Sequence, residues 1–561
     1  MRNIVKALLG VAMLCSCVPG STQELKYRWF YVMQNLQVTE NVPKLQQLMR
    51  RAKAAGYNGM VLADYKLNIL DRVPDHYFRN AEAIKATAKE LGLGLYPAVF
   101  GIGYSNGLLA HDPNLAEGLP VRGARFVVKG RSAQLESDAP PVLKGGGFEE
   151  GNGNRASGWD YQDDPGRTTF LDTSVKHGGN SSLRMQDLGG SNGRVHQLVA
   201  LKPWRQYAVH FWVKTEDFVS AGDVRCAVLT EDGGSLSFAE LGVKRSQDWT
   251  EYHVVFNSRK YSQARIYLGV WGGRSGRLWF DDARMEEAGL LNVLRRSGCP
   301  LQVVSETGNE LREGVDFETV KDPKLGNVPY AGEYSVWHEA PSIRLTPNSR
   351  IKDGQVLRVS FYHVQTVMEG QVAACLSEPK VYEILRDQCT RVVRLFGPPG
   401  LFFSHDEMRQ SGWCALCSRP GASPGQLLAE NMRRCVETAK SILPGGELFV
   451  WNDMFDPFHN AVDRYYLTNG TLAGSWEGLP KEVVVVNWHF GRRKENMPWF
   501  ASRGNRQILA GYYDGSPASI RQWLNDSKGV AGIVGVMYTT WVNNFNDLEA
   551  FAEYAWGSKR Q

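Results

Sequence analysis

Tyr27-Arg28-Trp29-Phe30-Tyr31-Val32-Met33, Gly59-Met60-Val61-Leu62-Ala63 and Leu93-Gly94-Leu95-Tyr96-Pro97-Ala98-Val99-Phe100 are three short apolar runs. Between them, Val42 to Ala55 and Phe78 to Leu91 have helical spacing and stop at Gly56 and Gly92. Buried strands alternating with amphipathic helices indicate parallel βα units. The rhythm breaks after about Pro120 and returns at Glu378. From there Lys380 to Leu395 and Leu427 to Ile442 read as helices. Gly400 to Ser404, Glu447 to Trp451, Val483 to Trp488, Gln507 to Tyr512 and Ile533 to Tyr538 read as strands. Strands on both sides of the break are numerous enough to close a (β/α)8 TIM barrel.

The interruption has another period. Gly145 to Gly158 is turn-like, and Gln206 to Val213, Glu251 to Phe256 and Ala264 to Val270 alternate every two residues. Such strands form antiparallel sandwiches. The chain therefore reads as multidomain. A barrel begins over 25–120, is interrupted by a jelly-roll β-sandwich over 143–288 and a small β-rich insert over 291–364, and resumes over 366–561. Barrel loops at strand C-terminal ends tolerate insertions and carry chemistry.

Composition fits this plan. The 561 residues exceed a single core, and 43% are hydrophobic and 22% charged. The net charge of +5 is spread along the chain, and no Lys/Arg run is interleaved with aromatics, which argues against nucleic acid as a partner. The 16 Trp fit a protein that handles glycans, because indole rings stack on the apolar faces of sugars.

Arg2 and Lys6 precede the apolar run Ala7 to Leu14, which is too short to span a bilayer and reads as a secretory leader over residues 1–20. Leu14-Cys15-Ser16-Cys17 resembles a bacterial lipobox with Cys17 as the lipidated residue; the rival is cleavage near Gly20-Ser21. The expectation is an exported protein, periplasmic or at the cell surface, touching a membrane only through a lipid anchor. Of the nine Cys, two lie in the leader, leaving an odd number that argues against a complete disulfide framework. Cys414-Ala-Leu-Cys417 is a lone CxxC. Without a second Cys or His pair nearby in sequence, it reads as a disulfide or two loop thiols before it reads as zinc.

Four ordered motifs mark the insert: Gly147-Phe148-Glu149-Glu150-Gly151 with Gly158-Trp159, His177 to Arg184, Tyr207 to Val213, and Leu278-Trp279-Phe280-Asp281-Asp282. Over about 143–288 they resemble the jelly-roll carbohydrate-binding modules of families 4 and 9. The resemblance implies a structural calcium with Glu149 and Asp282 as candidate ligands, since calcium takes carboxylate and carbonyl oxygens.

The strongest chemical signal is Phe402-Phe403-Ser404-His405-Asp406-Glu407, which ends a barrel strand in adjacent carboxylates. A glycosidase needs a carboxylic acid still protonated near neutrality, and a neighbouring carboxylate with partial burial provides one. Sequence neighbours diverge, which suits a substrate-assisted mechanism better than two carboxylates facing each other across the bond.

Residues 400–556 resemble the β-N-acetylhexosaminidases of glycoside hydrolase family 20. The match comprises His405, Asp406 and Glu407 followed by Trp413, then Trp451, Trp488, Tyr512-Tyr513-Asp514 and Trp541-Val542-Asn543. The resemblance implies an exo-acting, retaining enzyme that needs no metal or cofactor for catalysis and takes a terminal β-N-acetylhexosamine of a glycan. In it Glu407 is the acid, Asp406 orients the acetamido group, and Tyr512 hydrogen-bonds that group. Trp451, Trp488 and Trp541 line the pocket, and His405, Asp514, Asn543 and Arg28 contribute to substrate binding. The Gly-Gly between His and Asp-Glu is missing, Asn543 replaces a hydroxyl-binding Glu, and Met60-Val61-Leu62-Ala63-Asp64 lacks a His-x-His. These departures fall on the hydroxyl-binding side and leave open a glycosidase for another sugar or a non-catalytic glycan-binding lipoprotein.

Overall fold

The computed structural model describes residues 25–220, 224–368 and 370–557. The leader and Cys17 lie outside the described residues. Eight strands close a barrel: β1 (Tyr27–Met33), β2 (Gly59–Ala63), β3 (Gly94–Val99), β4 (Gly400–Phe403), β5 (Glu447–Trp451), β6 (Val484–Asn487), β7 (Gln507–Ala510) and β8 (Ile533–Tyr538). All neighbours are parallel, and β8 closes on β1 with Tyr27 opposite Gly535. Helices α1 (Asn41–Ala54) and α2 (Asp75–Leu91) follow the first two strands; α3 (Pro379–Phe396) precedes β4 and α4 (Pro424–Ile442) follows it. Later come α5 (Arg493–Ser502), α6 (Ser519–Asp526) and α7 (Leu548–Trp556). The expected glycine stops hold: Gly92 after α2 is left-handed at φ 60°, a conformation that glycine adopts without steric cost. Helix α4 starts on a capping box in which Ser423 and Gln426 satisfy each other's backbone N–H groups.

Strand alternation sorts the barrel residues. On β1, Tyr27, Trp29 and Tyr31 join the inner cluster, while Phe30 and Val32 pack outward under the helices. The lower barrel is an aromatic plug: Trp29 lies 4.1 Å from Tyr96 and 4.6 Å from Phe449, ring centre to centre. Gly59 makes room for it, since a Cβ there would sit 2.4 Å from the Trp29 indole nitrogen.

The interruption between β3 and β4 is nested. A six-stranded sheet runs in the order 310–311, 302–305, 356–363, 119–129, 132–135, 343–344. Its central pair joins Leu119–Lys129 to Val356–His363 antiparallel, with His363 opposite Leu119. The small β-rich unit is therefore not the contiguous 291–364 of the sequence reading; 119–135 belongs to it because it is the hydrogen-bonding partner of 356–363. Within that unit a sandwich is inserted. One face has five strands, in the order 247–257, 206–220, 273–287, 182–186 and 169–172; the other has four, 224–229, 263–270, 193–200 and 161–162. Phe148, Tyr207, Phe211, Ile266, Leu268 and Phe280 are among the residues filling the space between them. Among the described residues no helix is long and apolar enough to cross a membrane.

Candidate functional site

A cavity of about 730 Å³ opens at the C-terminal ends of the barrel strands. Every strand reaches it: Met33, Ala63, Val99, Ser404, Trp451, Trp488, Tyr513 and Trp541 all line it, each at or just past the end of its strand. Asp406, Glu407, Tyr31, Asp64 and Tyr104 complete the acidic side. Barrel chemistry is located at this end.

Alternation along β4 decides which side chains enter. Phe402 and Ser404 face inward and Phe403 outward. Asp406 follows the inward set and lines the cavity. His405 follows the outward set. It is buried, and its Nε2 is 3.0 Å from Asn431 Oδ1 on α4; burial pulls its pKa down to about 3. The expectation that His405 binds substrate is corrected: it is a neutral pin between strand and helix.

The acidic centre is larger than the pair read from sequence. Burial, reinforced by the charge of Glu407, raises Asp406 to about 7. Glu407 sits in the left-handed region at φ 45°. Its Oε2 accepts from Tyr104 Oη at 2.7 Å and is ion-paired with Arg409 at 2.7 Å. Its backbone N–H donates to Asp453 Oδ2 at 2.9 Å, where Asn460 Nδ2 also donates. Asp453 is fully buried, and burial together with the charge of Asp406 raises it to about 8; its Oδ1 has no partner. The sequence reading missed Asp453, Arg409 and Tyr104. Asp453 carried a signal, being a carboxylate two residues past the end of β5; Tyr104 carried none, because it arrives from the loop after β3.

The aromatic side is built from Trp451, Trp541, Trp488 and Tyr513. Tyr31 lies 5.4 Å from Trp451 and 5.5 Å from Trp541. Tyr513 stacks on Trp488 at 5.4 Å with planes 8° apart and meets Trp541 edge-on. Trp451 Nε1 is buried without a protein acceptor, and the Trp541 indole is beside the Tyr513 hydroxyl.

Four further expected substrate ligands lie elsewhere. Strand β7 ends at Ala510, so its alternation does not carry through to Tyr512. Tyr512 stacks on Tyr538 at 4.2 Å and donates to Asp547 Oδ2 at 3.0 Å, away from the cavity; Tyr513 takes the wall position. Asp514 has both oxygens occupied, by Thr540 Oγ1 at 2.5 Å and the Trp541 N–H at 2.7 Å, so it fastens the loop bearing Trp541 and is not a sugar ligand. Asn543 is exposed in a left-handed turn outside the cavity lining, where Val542 stands instead. Arg28 is an outward position of β1: its Nε donates to Gly56 O at 2.8 Å and its guanidinium lies over Trp556, so it joins the helix layer.

In the sandwich, Glu149 and Asp282 flank one glycine turn. Glu149 Oε2 accepts from Asn180 N at 2.6 Å and Asp282 Oδ2 lies 2.6 Å from His177 Nδ1. Their other oxygens would be 3.8 and 3.9 Å from a Cβ on Gly147. The outward face of the four-stranded sheet bears an aromatic row. Tyr161 stacks on His196 at 5.1 Å, His196 meets Tyr267 at 4.5 Å, and Tyr267 meets Trp271 at 6.0 Å.

Comparison with known proteins bears first on this sandwich. Residues 141–275 match the model of a carbohydrate-binding domain of families 4 and 9, described as "Carbohydrate binding domain". No curated protein matches the chain. Among solved structures, TmCBM61 in complex with beta-1,4-galactotriose is 20% identical, covering 27% of this chain and 99% of that one, with a TM-score of 0.21. The CBM22-1 xylan-binding domain of Paenibacillus barcinonensis Xyn10C is 14% identical, covering 27% and 97%, with a TM-score of 0.21. A rhamnosidase from Novosphingobium sp. PP1Y is 10% identical, covering 95% of this chain and 58% of that one, with a TM-score of 0.31. The chain is thus a multidomain protein with a carbohydrate-binding domain and a closed eight-stranded parallel barrel.

Proposed function

We propose that this protein is an exo-acting glycoside hydrolase on a TIM barrel of the family-20 kind, taking a terminal β-linked N-acetylhexosamine from glycans held by its inserted domain. The observation that carries this reading is the cavity at the strand C-termini, walled by aromatic rings and holding two adjacent carboxylates in opposite environments. Environments that set neighbouring acids apart assign their roles. Glu407, first expected to be the acid, is ion-paired with Arg409, whereas Asp406 holds its proton to about 7. We therefore give leaving-group protonation to Asp406 and make Glu407, paired with Arg409, the partner that steadies the acetamido group and the positive charge growing on the ring. The substrate's acetamido oxygen attacks the anomeric carbon, and the bond to the leaving oxygen breaks as Asp406 donates its proton. The resulting oxazolinium is opened by water, which returns a proton to Asp406. Tyr513 replaces Tyr512 as the tyrosine beside the acetamido group, and holding the attacking oxygen in place supplies much of the rate.

A second reading, a glycosidase for another sugar, is favoured by one fact: Arg28, Asp514 and Asn543, the expected hydroxyl ligands, do not line the cavity. A panel of aryl glycosides tests both. The first reading expects turnover of the N-acetylglucosaminide or N-acetylgalactosaminide and strong inhibition by a thiazoline. A covalent sugar trapped on Asp or Glu by a fluorosugar refutes substrate assistance, and activity confined to a sugar without a 2-acetamido group selects the second reading. In the sandwich, we propose Glu149 and Asp282 as ligands of a structural calcium. We also propose that the chain is exported and lipid-anchored at Cys17, which intact mass spectrometry of the mature protein tests.

A further inference from the structure

The four cysteines at 299, 375, 414 and 417 come from three separate stretches of chain and meet in one buried cluster. Cys375 Sγ lies 3.6 Å from Cys414 Sγ and 3.4 Å from Cys417 Sγ, and Cys299 is within hydrogen-bonding reach of Cys414. We propose that Cys299, Cys375, Cys414 and Cys417 form a tetrahedral thiolate site for a structural zinc ion.

The spacing fits that chemistry. A disulfide brings sulfurs to about 2 Å, whereas Zn–S bonds of about 2.3 Å in a tetrahedron set sulfurs about 3.8 Å apart, close to the separations here. All four side chains are buried. Three sulfurs at these separations, with Cys299 in reach of Cys414, select a soft divalent ion over calcium or magnesium.

The loop geometry is that of a ligand turn on both sides. Cys414-Ala-Leu-Cys417 closes with the Cys417 and Ser418 N–H groups on Cys414 O, and Cys299 N–H closes on Arg296 O. The two turns are joined, since Ala415 N–H donates to Gly298 O. Glu117 braces the site from outside. Its Oε1 accepts the N–H groups of Trp413 and Cys414 at 2.7 and 2.9 Å, and its Oε2 lies 3.4 Å from Cys417 Sγ. Glu117, Cys375, Cys414 and Cys417 already offer ligand atoms within 4.8 Å of one another. We assign the fourth position to Cys299 because it reaches Cys414 and a thiolate is a softer ligand than a carboxylate, while Glu117, whose Oε1 holds two backbone donors, braces the turn. Arg296, nearly buried beside the cluster and held by Asn114 O and Ala116 O, supplies a cation against the net negative charge of a zinc tetrathiolate.

The placement gives the ion a task. Glu117 leads into the inserted sheet, Cys299 lies within that insert, Cys375 lies on its exit before α3, and Cys414 and Cys417 sit on the loop after β4. The site fastens the entrance and exit of the insertion to the loop that begins with Asp406, Glu407 and Arg409. The lone CxxC was weak in sequence only because its partners are 115 and 39 residues upstream of Cys414.

The test is metal analysis of the full-length protein purified without chelator, with cobalt substitution as a second measurement on the same wild-type chain. Expected are one zinc per chain, release of that zinc in step with thiol modification by an organomercurial, and a cobalt form with thiolate-to-metal charge-transfer absorption. Cys417→Ser loses the zinc and Cys299→Ser weakens it at least tenfold, while Cys389→Ser, altering a buried cysteine elsewhere, keeps it. Wild-type protein that holds no zinc and takes up no cobalt with that absorption, or an intact mass lowered by disulfide formation among these four residues, overturns the proposal. A zinc content unchanged in Cys299→Ser but lost in Glu117→Gln overturns the choice of fourth ligand.

Discussion

Replacing Asp406 with Asn should make the protein more stable in mild alkali and less active everywhere. The native carboxyl is displaced from 3.8 to about 7, first by burial and then by the charge of Glu407. At about 1.4 kcal/mol per tenfold change in proton affinity, that displacement carries about 4 kcal/mol. Between the two values the folded chain keeps a proton that the unfolded chain has released. This contribution to stability is therefore complete below pH 3.8, falls as pH rises, and is lost above about 7. Asp453, raised to about 8, has the same sign and is coupled to Asp406 through charge, so the two carboxyls titrate as a pair. Asparagine cannot ionise, and it relieves its partner as well. At pH 8.5 the barrel of Asp406→Asn should melt about 5 °C higher than wild type, the scale expected for a few kcal/mol in a domain of this size. At pH 4 the difference should vanish. Calorimetric scans at the two pH values give the comparison. On activated aryl glycosides the alkaline fall of kcat/KM near pH 7 should disappear from the mutant, leaving a low, flat profile. Identical pH dependence of melting in mutant and wild type would refute the assignment of a proton to this site.

The aromatic row on the sandwich gives a separate test: Tyr267→Ala or Trp271→Ala should weaken retention on an immobilised glycan by roughly tenfold or more, with turnover of small aryl glycosides unchanged. Affinity electrophoresis reads the first and a rate assay the second. Tyr512→Phe should cost roughly 1 kcal/mol by losing its bond to Asp547 without altering KM, whereas Tyr513→Ala should raise KM about tenfold. The reverse outcome would restore Tyr512 to the pocket. Trp541→Phe, which keeps a ring but removes the indole donor, should leave thermal stability nearly unchanged and raise KM; a fall in melting temperature with KM intact would make Trp541 a core residue.

How much of this was legible depended on whether period alone decided the outcome. The βα rhythm from Tyr27 to Phe100 and its return at Lys380 predicted a barrel, because strand alternation and glycine-stopped helices are local. Within strands the same period could have done more. Arg28 and His405 occupy outward positions that follow from Tyr27, Trp29 and Phe402 facing inward; motif matching placed them in the site where alternation excludes them. Past a strand end, period says nothing. Tyr512, Tyr513 and Asp514 lie beyond Ala510, and only the turn geometry, with Asp514 at φ 50°, tells which one faces the cavity. Long-range partners were invisible for another reason. The pairing of 119–129 with 356–363 spans the whole sandwich, and no local pattern encodes which strand a strand will choose.

The aromatic plug and the acid chemistry have one cause. Trp29, Tyr96, Phe449, Tyr31 and Phe402 fill the barrel below the cavity with packed rings, so that water does not reach from beneath what stands on top of them. That floor is part of why burial raises Asp406 and Asp453. The indole N–H groups of Trp451 and Trp541 are held in the cavity wall. A ligand that places oxygens against them gains hydrogen bonds that an apolar ligand of the same size does not. The pocket therefore discriminates by chemistry as well as by shape. It favours a ring whose faces are apolar and whose edge carries hydrogen-bond acceptors, a description that the proposed sugar substrate meets.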